Sequence, residues 1–263
     1  MDLAPQWSVF GNTHEMQQPY SAAVVMPTIG RAEAVAAIKS VYAQQGLARI
    51  QLLIGVDRPG ADIAQLLAAL KGCPNHVTAH LFYPGYSTSV RHGGTYAARD
   101  GGALRATLTM LANTQYVAYL DDDNWWAPTH LCALRTAIEG RAWAFSLRYF
   151  VHARSRKTVC IDEWESLGPG KGAYAERFGG FVDPNCLMID KLACWDCIAL
   201  WNIPLIGDDK GMSADRNIYN FLQHHSVPGS SGEASVYYAL DENDIMHPQR
   251  LEVMGARYEL AAK

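Results

Sequence analysis

The chain has 263 residues, of which 49% are hydrophobic and 18% charged, enough apolar material for one large α/β domain or two small ones and too much for a disordered polymer. A formal charge of −4 and the absence of any Lys/Arg-rich block exclude a general affinity for nucleic acid. Met1 to Gln6 lack a basic run leading into an apolar core, and Leu192 to Ile206, broken by Asp196 and Pro204, is too short to span a bilayer; the expectation is a soluble, cytoplasmic protein, with peripheral membrane contact left open.

Residues 1–21 are polar and contain Pro5 and Pro19, which reads as a poorly specified arm. Strand and helix signals then alternate: strand Ala22–Met26 stopped by Pro27, helix Ala32–Tyr42, strand Ile50–Val56 closed by the turn Asp57-Arg58-Pro59-Gly60, helix Ile63–Leu70, strand Val77–Phe82, helix Ala103–Leu111, strand Tyr116–Leu120 and helix Pro128–Ile138. That alternation predicts a mostly parallel sheet with crossover helices, whose strand ends near Thr28, Asp57 and Asp121 share one edge, the place where such sheets bind ligands. After residue 126 the character changes. Trp143–Val151 and Thr158–Ile161 read as antiparallel strands around Arg154-Ser155-Arg156-Lys157, Glu163–Gly180 as a Gly-rich loop, Phe181–Ile189 as a short strand, and Lys191–Trp201 and Asp215–His224 as helices. Ser226–Gly232 is small and glycine-rich, a mobile lid or an ordinary linker. The six cysteines suggest no disulfide framework, and Cys194-x-x-Cys197 reads as two small apolar side chains one helical turn apart. The organisation is an arm (1–21), a donor half (22–125) and a second half (126–263) continuous with it.

The most informative run is Asp121-Asp122-Asp123-Asn124, which ends the apolar strand Tyr116–Leu120. Like charges side by side repel unless a cation or solvent relieves them. A hard cation such as Mg²⁺ or Mn²⁺ takes one or two carboxylates and fills its remaining positions with water and substrate phosphates, so the run reads as a metal–diphosphate site. The alternative is a solvated acidic turn ahead of the helix beginning near Pro128.

Several segments, in order, resemble family 2 glycosyltransferases. Val24-Val25-Met26-Pro27-Thr28-Ile29-Gly30-Arg31 is similar to the family's opening strand and loop, with Gly30 where Asn is usual. Ile54-Gly55-Val56-Asp57 resembles its second strand, Ala97-Ala98-Arg99-Asp100-Gly101-Gly102 its Ala-Arg-Asn-x-Gly helix start with Asp100 for Asn, and Leu120-Asp121-Asp122-Asp123-Asn124 its metal motif. Phe181 to Met188, containing Asp183, resembles the acceptor-side strand, and Ala214-Asp215-Arg216 the Glu-Asp helix start with Ala214 for Glu. The resemblance spans residues 22–225 and implies an α/β GT-A fold: a mostly parallel nucleotide-binding sheet flanked by helices, with a smaller antiparallel acceptor-side portion. It further implies a metal-assisted, inverting transfer of a sugar from a nucleotide-diphosphate donor, a uridine one, to a carbohydrate or other hydroxyl acceptor.

Carried over residue by residue, Pro27, Thr28, Gly30, Arg31, Asp57, Arg99, Asp121 and Asp122 would bind the nucleotide-sugar, with Asp57 on the uracil. Asp123 would ligate Mn²⁺ or Mg²⁺ directly, with Asp121 and the C-terminal His247 as further candidates. Trp126 and Asp183 would meet the acceptor. Asp215 would be the general base, since inversion needs one base opposite the leaving group, and Asp209 of the pair Asp208-Asp209 is its rival. Two other readings stay open: a sugar-phosphate nucleotidyltransferase, although Met26 to Arg31 has one glycine rather than a Gly-rich phosphate loop, and a non-catalytic nucleotide-sugar or carbohydrate-binding protein of the same fold.

Overall fold

A computed structural model of the chain describes residues 6–14, 16–98, 101–205 and 214–263. In chain order its elements are β1 (Gln6–Gly11), β2 (Ala22–Thr28), α1 (Ala34–Tyr42), β3 (Ile50–Val56), α2 (Ala64–Lys71), β4 (Val77–Tyr83), α3 (Gly102–Leu111), β5 (Tyr116–Tyr119), β6 (Trp125–Trp126), α4 (His130–Ala137), β7 (Trp143–Val151) and β8 (Thr158–Ile161). There follow β9 (Gly168–Pro169), α5 (Ala175–Phe178), β10 (Gly180–Phe181), β11 (Leu187–Asp190), α6 (Asp215–His225), β12 (Gly229–Ala239), α7 (His247–Met254) and α8 (Ala256–Ala262).

One sheet of ten strands, in the order β1-β4-β3-β2-β5-β11-β7-β12-β6 with β8 hung on β7, runs through both halves of the chain among the described residues. β4, β3, β2 and β5 are mutually parallel and β12 is parallel to β7, whereas β11 runs antiparallel between β5 and β7. Every residue of β2 and β3 is buried, as expected for parallel strands covered by helices on both faces. Helix α1 covers one face through Ala34, Ala37, Ile38 and Val41. Helix α3 sits directly on β3 because Gly55 leaves room: a Cβ there would lie 2.8 Å from Leu104 Cδ1. A smaller cluster of Phe150, Leu240, Met254 and Tyr258 ties α7 and α8 to β7.

The structure departs from the sequence reading in four places. The supposed arm contains β1, which pairs antiparallel with β4; Trp7 packs edge-on against His80 and Phe82, a contact residues remote in sequence make visible only in the fold. The supposed lid is strand from Gly229 onward, where Gly229 and Ser230 pair with Ala144 and Phe145. The stretch around Cys194 and Cys197 is a 3₁₀ turn over Trp195–Asn202, and burial pushes both thiols up to about 12, which makes them inert packing groups. The Gly-rich loop holds a two-strand ribbon, β9 with β10, around α5.

Between β7 and the C-terminal helices lies a buried ionic cluster. Arg148, the one charged residue of β7, donates from Nε to Asp162 at 2.8 Å, from Nη2 to Glu165 at 2.5 Å and from Nη1 to Asp183 at 2.6 Å. Arg250 of α7 reaches Glu165 at 3.0 Å and Asp244 at 2.7 Å. Tyr238 lies under Arg148, 4.0 Å from ring centroid to guanidinium carbon. Burial alone would raise the Asp162 carboxyl, but Arg148 and the backbone N–H groups of Trp164, Glu165 and Ser166 outweigh it and hold Asp162 below the ordinary carboxylate range. For Asp183 burial wins over Arg148 and its pKa is raised.

Two stability predictions follow from this packing. A Cβ at Gly229 would lie 1.8 Å from the carbonyl oxygen of Ala137, so Gly229→Ala is expected to cost about 3 kcal/mol in chemical denaturation. Gly232→Ala, at φ +71° with nothing within 4 Å, should cost only about 1 kcal/mol from its backbone; equal costs at the two positions would contradict the strand assignment. Arg148→Met leaves the buried Asp162 and Asp183 without a cation, while Glu165 keeps Arg250, and should lose about 3–5 kcal/mol near neutral pH. In the native protein Asp162, with its depressed folded pKa, stabilises above the unfolded pKa and loses that contribution as pH falls through the folded one. In the variant Asp162 and Asp183, buried without a cation, bind protons more tightly folded than unfolded, so its deficit should narrow between about pH 7 and pH 4. Urea titrations at several pH values check the sign.

Candidate functional site

The carboxyl ends of β2, β3 and β5 share one edge because the three strands are parallel, and this brings Thr28, Asp57 and Asp121–Asp123 to the wall of one cavity of about 1240 Å³. The antiparallel β11 delivers its leading residues to the same edge. Met188 stands opposite Ala118, which puts Asn185 opposite Asp121. The two are doubly bonded: Asp121 N donates to Asn185 Oδ1 at 2.6 Å, and Asn185 Nδ2 donates to Asp121 Oδ2 at 2.7 Å. Asn185 Nδ2 also donates to Asp183 Oδ1 at 2.7 Å, so one amide links the acidic turn to the buried cluster around Arg148.

The three carboxylates of the turn have three different environments. Asp121 is ion-paired to Arg105 of α3; burial would raise its pKa, but Arg105 and Asn185 prevail and lower it. Asp122 accepts from Thr28 Oγ1 at 2.6 Å and faces Arg31 at 3.4 Å, yet burial keeps its pKa raised. Asp123, the least enclosed, pairs with Arg31 at 2.9 Å; burial, Asp121 and Asp122 together push it up to about 7 against that arginine. Among the described residues two guanidinium groups pair with these carboxylates, and a third, that of Arg156, donates to the Asp123 carbonyl at 3.1 Å. Asp123 keeps carboxylate lone pairs that could ligate a hard divalent cation. Among the described residues no group of three His, Cys, Asp or Glu side chains could hold a metal by itself. The residues therefore fit an ion that takes one direct carboxylate and completes its shell with phosphate and water oxygens.

The loop after β2 is shaped for this edge. Gly30, at φ +87°, turns the chain so that its N–H donates to Thr28 Oγ1 at 2.9 Å, which in turn donates to Asp122. Pro27 packs against Gly101 so closely that a Cβ there would lie 2.5 Å from Pro27 Cβ. Asp57 lines the cavity, and its carboxylate braces the loop opposite, accepting from Thr88 N at 2.5 Å, Thr88 Oγ1 at 3.1 Å and Ser87 Oγ at 3.3 Å. Arg99 and Asp209 lie outside the described residues.

Asp183, joined to Asp121 through the Asn185 amide, and Asp215, at the first position of α6, line the same cavity. Two sequence candidates fall elsewhere. Trp126 is a core residue, 2% exposed, stacked on His130 and donating its indole N–H to the Asn185 carbonyl at 3.0 Å; it supports the turn from below rather than meeting an acceptor. His247 packs edge-on against Tyr258 and does not line the cavity, since the first turn of α7 points it into the small C-terminal cluster. Sequence reasoning missed Arg105, Asn185, Arg148, Glu165 and Arg250. Arg148 carries a signal, a lone charge inside an otherwise apolar strand; Arg105 and Asn185 carry none that separates them from surface polar residues.

Compared with solved structures, the chain resembles crystal structures of S. aureus TarS. The TM-score is 0.58 at 11% identity for TarS, over 88% of this chain and 38% of that one. It is 0.58 at 11% identity for TarS 1–349 in complex with UDP (91% of this chain, 64% of that one) and 0.59 at 11% identity for TarS 1–349 in complex with UDP-GlcNAc (90% and 66%). The chain thus spans well under half the length of the first of these. No protein-family model and no curated protein matches the sequence. What the likeness establishes is architecture: the mixed sheet, its order and its flanking helices are those of a GT-A glycosyltransferase fold.

Proposed function

We propose that the chain is a glycosyltransferase that moves a sugar from a uridine diphosphate donor to a hydroxyl acceptor, with inversion at the anomeric carbon. The observation that carries this reading is the cavity itself: three adjacent carboxylates at the edge where parallel strands end, paired with Arg31 and Arg105, line one open space together with Asp183 and Asp215. The fold likeness to TarS complexes with UDP and UDP-GlcNAc supports a uridine nucleotide-sugar.

In this reading Pro27, Thr28 and Gly30 floor the nucleotide site, Asp57 receives the base, and Arg31 faces the diphosphate. Asp123 would hold Mn²⁺ or Mg²⁺ directly, with Asp121 and Asp122 acting through water. Such an ion, when bound, offsets the charge that develops on the leaving diphosphate. The acceptor oxygen forms its bond to the anomeric carbon as the bond from that carbon to the phosphate oxygen breaks, and the electron pair leaves with UDP. Asp215 takes the proton of the acceptor hydroxyl. Its place in the lining of the cavity that holds the acidic turn supports it in that role. Asp183, tied up by Arg148 and Asn185, is better suited to positioning.

Calorimetry of the native protein should give UDP binding tighter in Mn²⁺ than in EDTA by about tenfold or more, about 1.4 kcal/mol. Asp123→Ala should erase that difference at unchanged Tm, and equal UDP affinity in the two buffers for the native protein would remove the metal from the reading. Asp215→Asn should leave UDP affinity near native and lower sugar transfer by ~10²-fold or more, because a base acts only in the transition state. Transfer at the native rate in that variant would assign the proton to another carboxylate.

A further inference from the structure

Arg216 is the one buried arginine on the cavity wall that no described carboxylate answers. It is the second residue of α6, is 8% exposed and stands beside Asp215. Its guanidinium carbon lies 3.6 Å from the ring centroid of Phe181, 3.9 Å from that of Tyr174 and 5.3 Å from that of Phe178. Its Nη1 is buried without a hydrogen-bond partner. The other buried arginines that line the cavity each pair with a carboxylate: Arg105 with Asp121, Arg148 with Asp162, Glu165 and Asp183, and Arg250 with Glu165 and Asp244.

The aromatic corner attracts the cation, and the Tyr174 hydroxyl takes a hydrogen bond from it, but Nη1 is left without an acceptor. Guanidinium does not shed its proton in a protein, so the cost of burying the charge cannot be relieved by neutralisation. An anion entering the cavity relieves it, and the forked donor edge of arginine matches phosphate and carboxylate. The positive end of α6 acts in the same sense, and Arg177 adds charge at the rim.

We infer that Arg216 seats an anionic group, phosphate or carboxylate, carried by the acceptor close to the hydroxyl that attacks. The assignment to the acceptor rests on the glycosyltransferase reading: the corner is built by Tyr174, Phe178, Phe181 and α6, beside Asp215, whereas the donor diphosphate belongs at the acidic turn with Arg31. The anion seat itself rests only on the geometry of Arg216.

The test is an NMR titration of the full chain saturated with UDP and Mn²⁺. Glycerol phosphate is compared with glycerol, and glucuronate with glucose. At least one anionic probe should bind about tenfold or more tightly than its neutral counterpart. Arg216→Met should remove the preference while UDP affinity stays within about twofold, and Arg216→Lys, which keeps the charge without the fork, should restore part of it. No preference in the native protein overturns the inference, whatever the variants do, so a variant that fails to fold does not shield it. A preference seen without UDP but abolished by UDP, together with loss of UDP affinity in Arg216→Met, overturns the acceptor assignment and gives Arg216 to the donor diphosphate. Failure of UDP to bind at all counts against the glycosyltransferase reading, while the anion preference is still read in the protein alone.

Discussion

Asn185 and Asp121 hold this molecule together at the point where its function would be performed. A parallel sheet that ended at β5 would leave Asp121–Asp123 at an open edge, where three adjacent carboxylates would splay into solvent. The antiparallel β11 instead sets Asn185 in register with Asp121, and the amide satisfies a backbone N–H and a carboxylate oxygen of the turn while accepting and donating in opposite directions. Asn suits this position where Asp would not: a carboxylate cannot donate to Asp121, and a fourth negative charge would add to the three of the turn. The same side chain reaches Asp183, so the acidic turn and the Arg148 cluster are two ends of one hydrogen-bonded chain.

That chain sorts the carboxylates of the cavity by how well each is answered. Asp121 and Asp162 have arginines and several N–H donors and are held ionised. Asp123 has the half-exposed Arg31 on its carboxylate, Arg156 on its carbonyl and two like-charged neighbours, and is left near 7. Strongly answered carboxylates make scaffold; the poorly answered one is where added positive charge is stabilised most. The physical argument for a cation at Asp123 is therefore independent of any motif.

The donor half was largely legible in the sequence because its signals are local. Ile50–Val56 and Val77–Tyr83 are continuous apolar runs closed by turn residues, and a run buried on both faces needs no knowledge of its partners. The second half depends on partners distant in the chain. Gly229–Gly232 has the composition of a linker, yet it is strand because Ala137 and Ala144 press on Gly229 and exclude any side chain. β1 escaped notice for a related reason, since Trp7 is only half covered and its worth as a strand residue depends on His80 and Phe82. Of the site, carboxylates at strand ends could be read directly, while the arginines and the amide that set their charge state come from β7, α3 and the start of β11, and spacing says nothing about such meetings. Trp126 and His247 were read as surface chemistry but are packing residues, the more frequent fate of a large aromatic and a lone imidazole.

Arg156 joins an aromatic row on the other face of the sheet to the acidic turn. On β7 and β12, Arg148 and Tyr238 face the cavity, while Tyr149 and Tyr237 alternate to the other side and stack in line with Trp125 of β6, at 5.4 Å for each successive pair. Arg156, in the turn between β7 and β8, caps this row 4.3 Å from the Trp125 ring and donates from Nη2 to the carbonyl of Asp123 at 3.1 Å. It is the only described non-glycine residue with positive φ, at 59°, a conformation that costs about 1–2 kcal/mol for an L-residue. A partly exposed cation–π contact, about 0.5–1 kcal/mol, and a charge-assisted hydrogen bond, about 1.5–3 kcal/mol, together offset that cost. The strain is thus sustained by contacts that need both the aromatic row and the acidic turn in place.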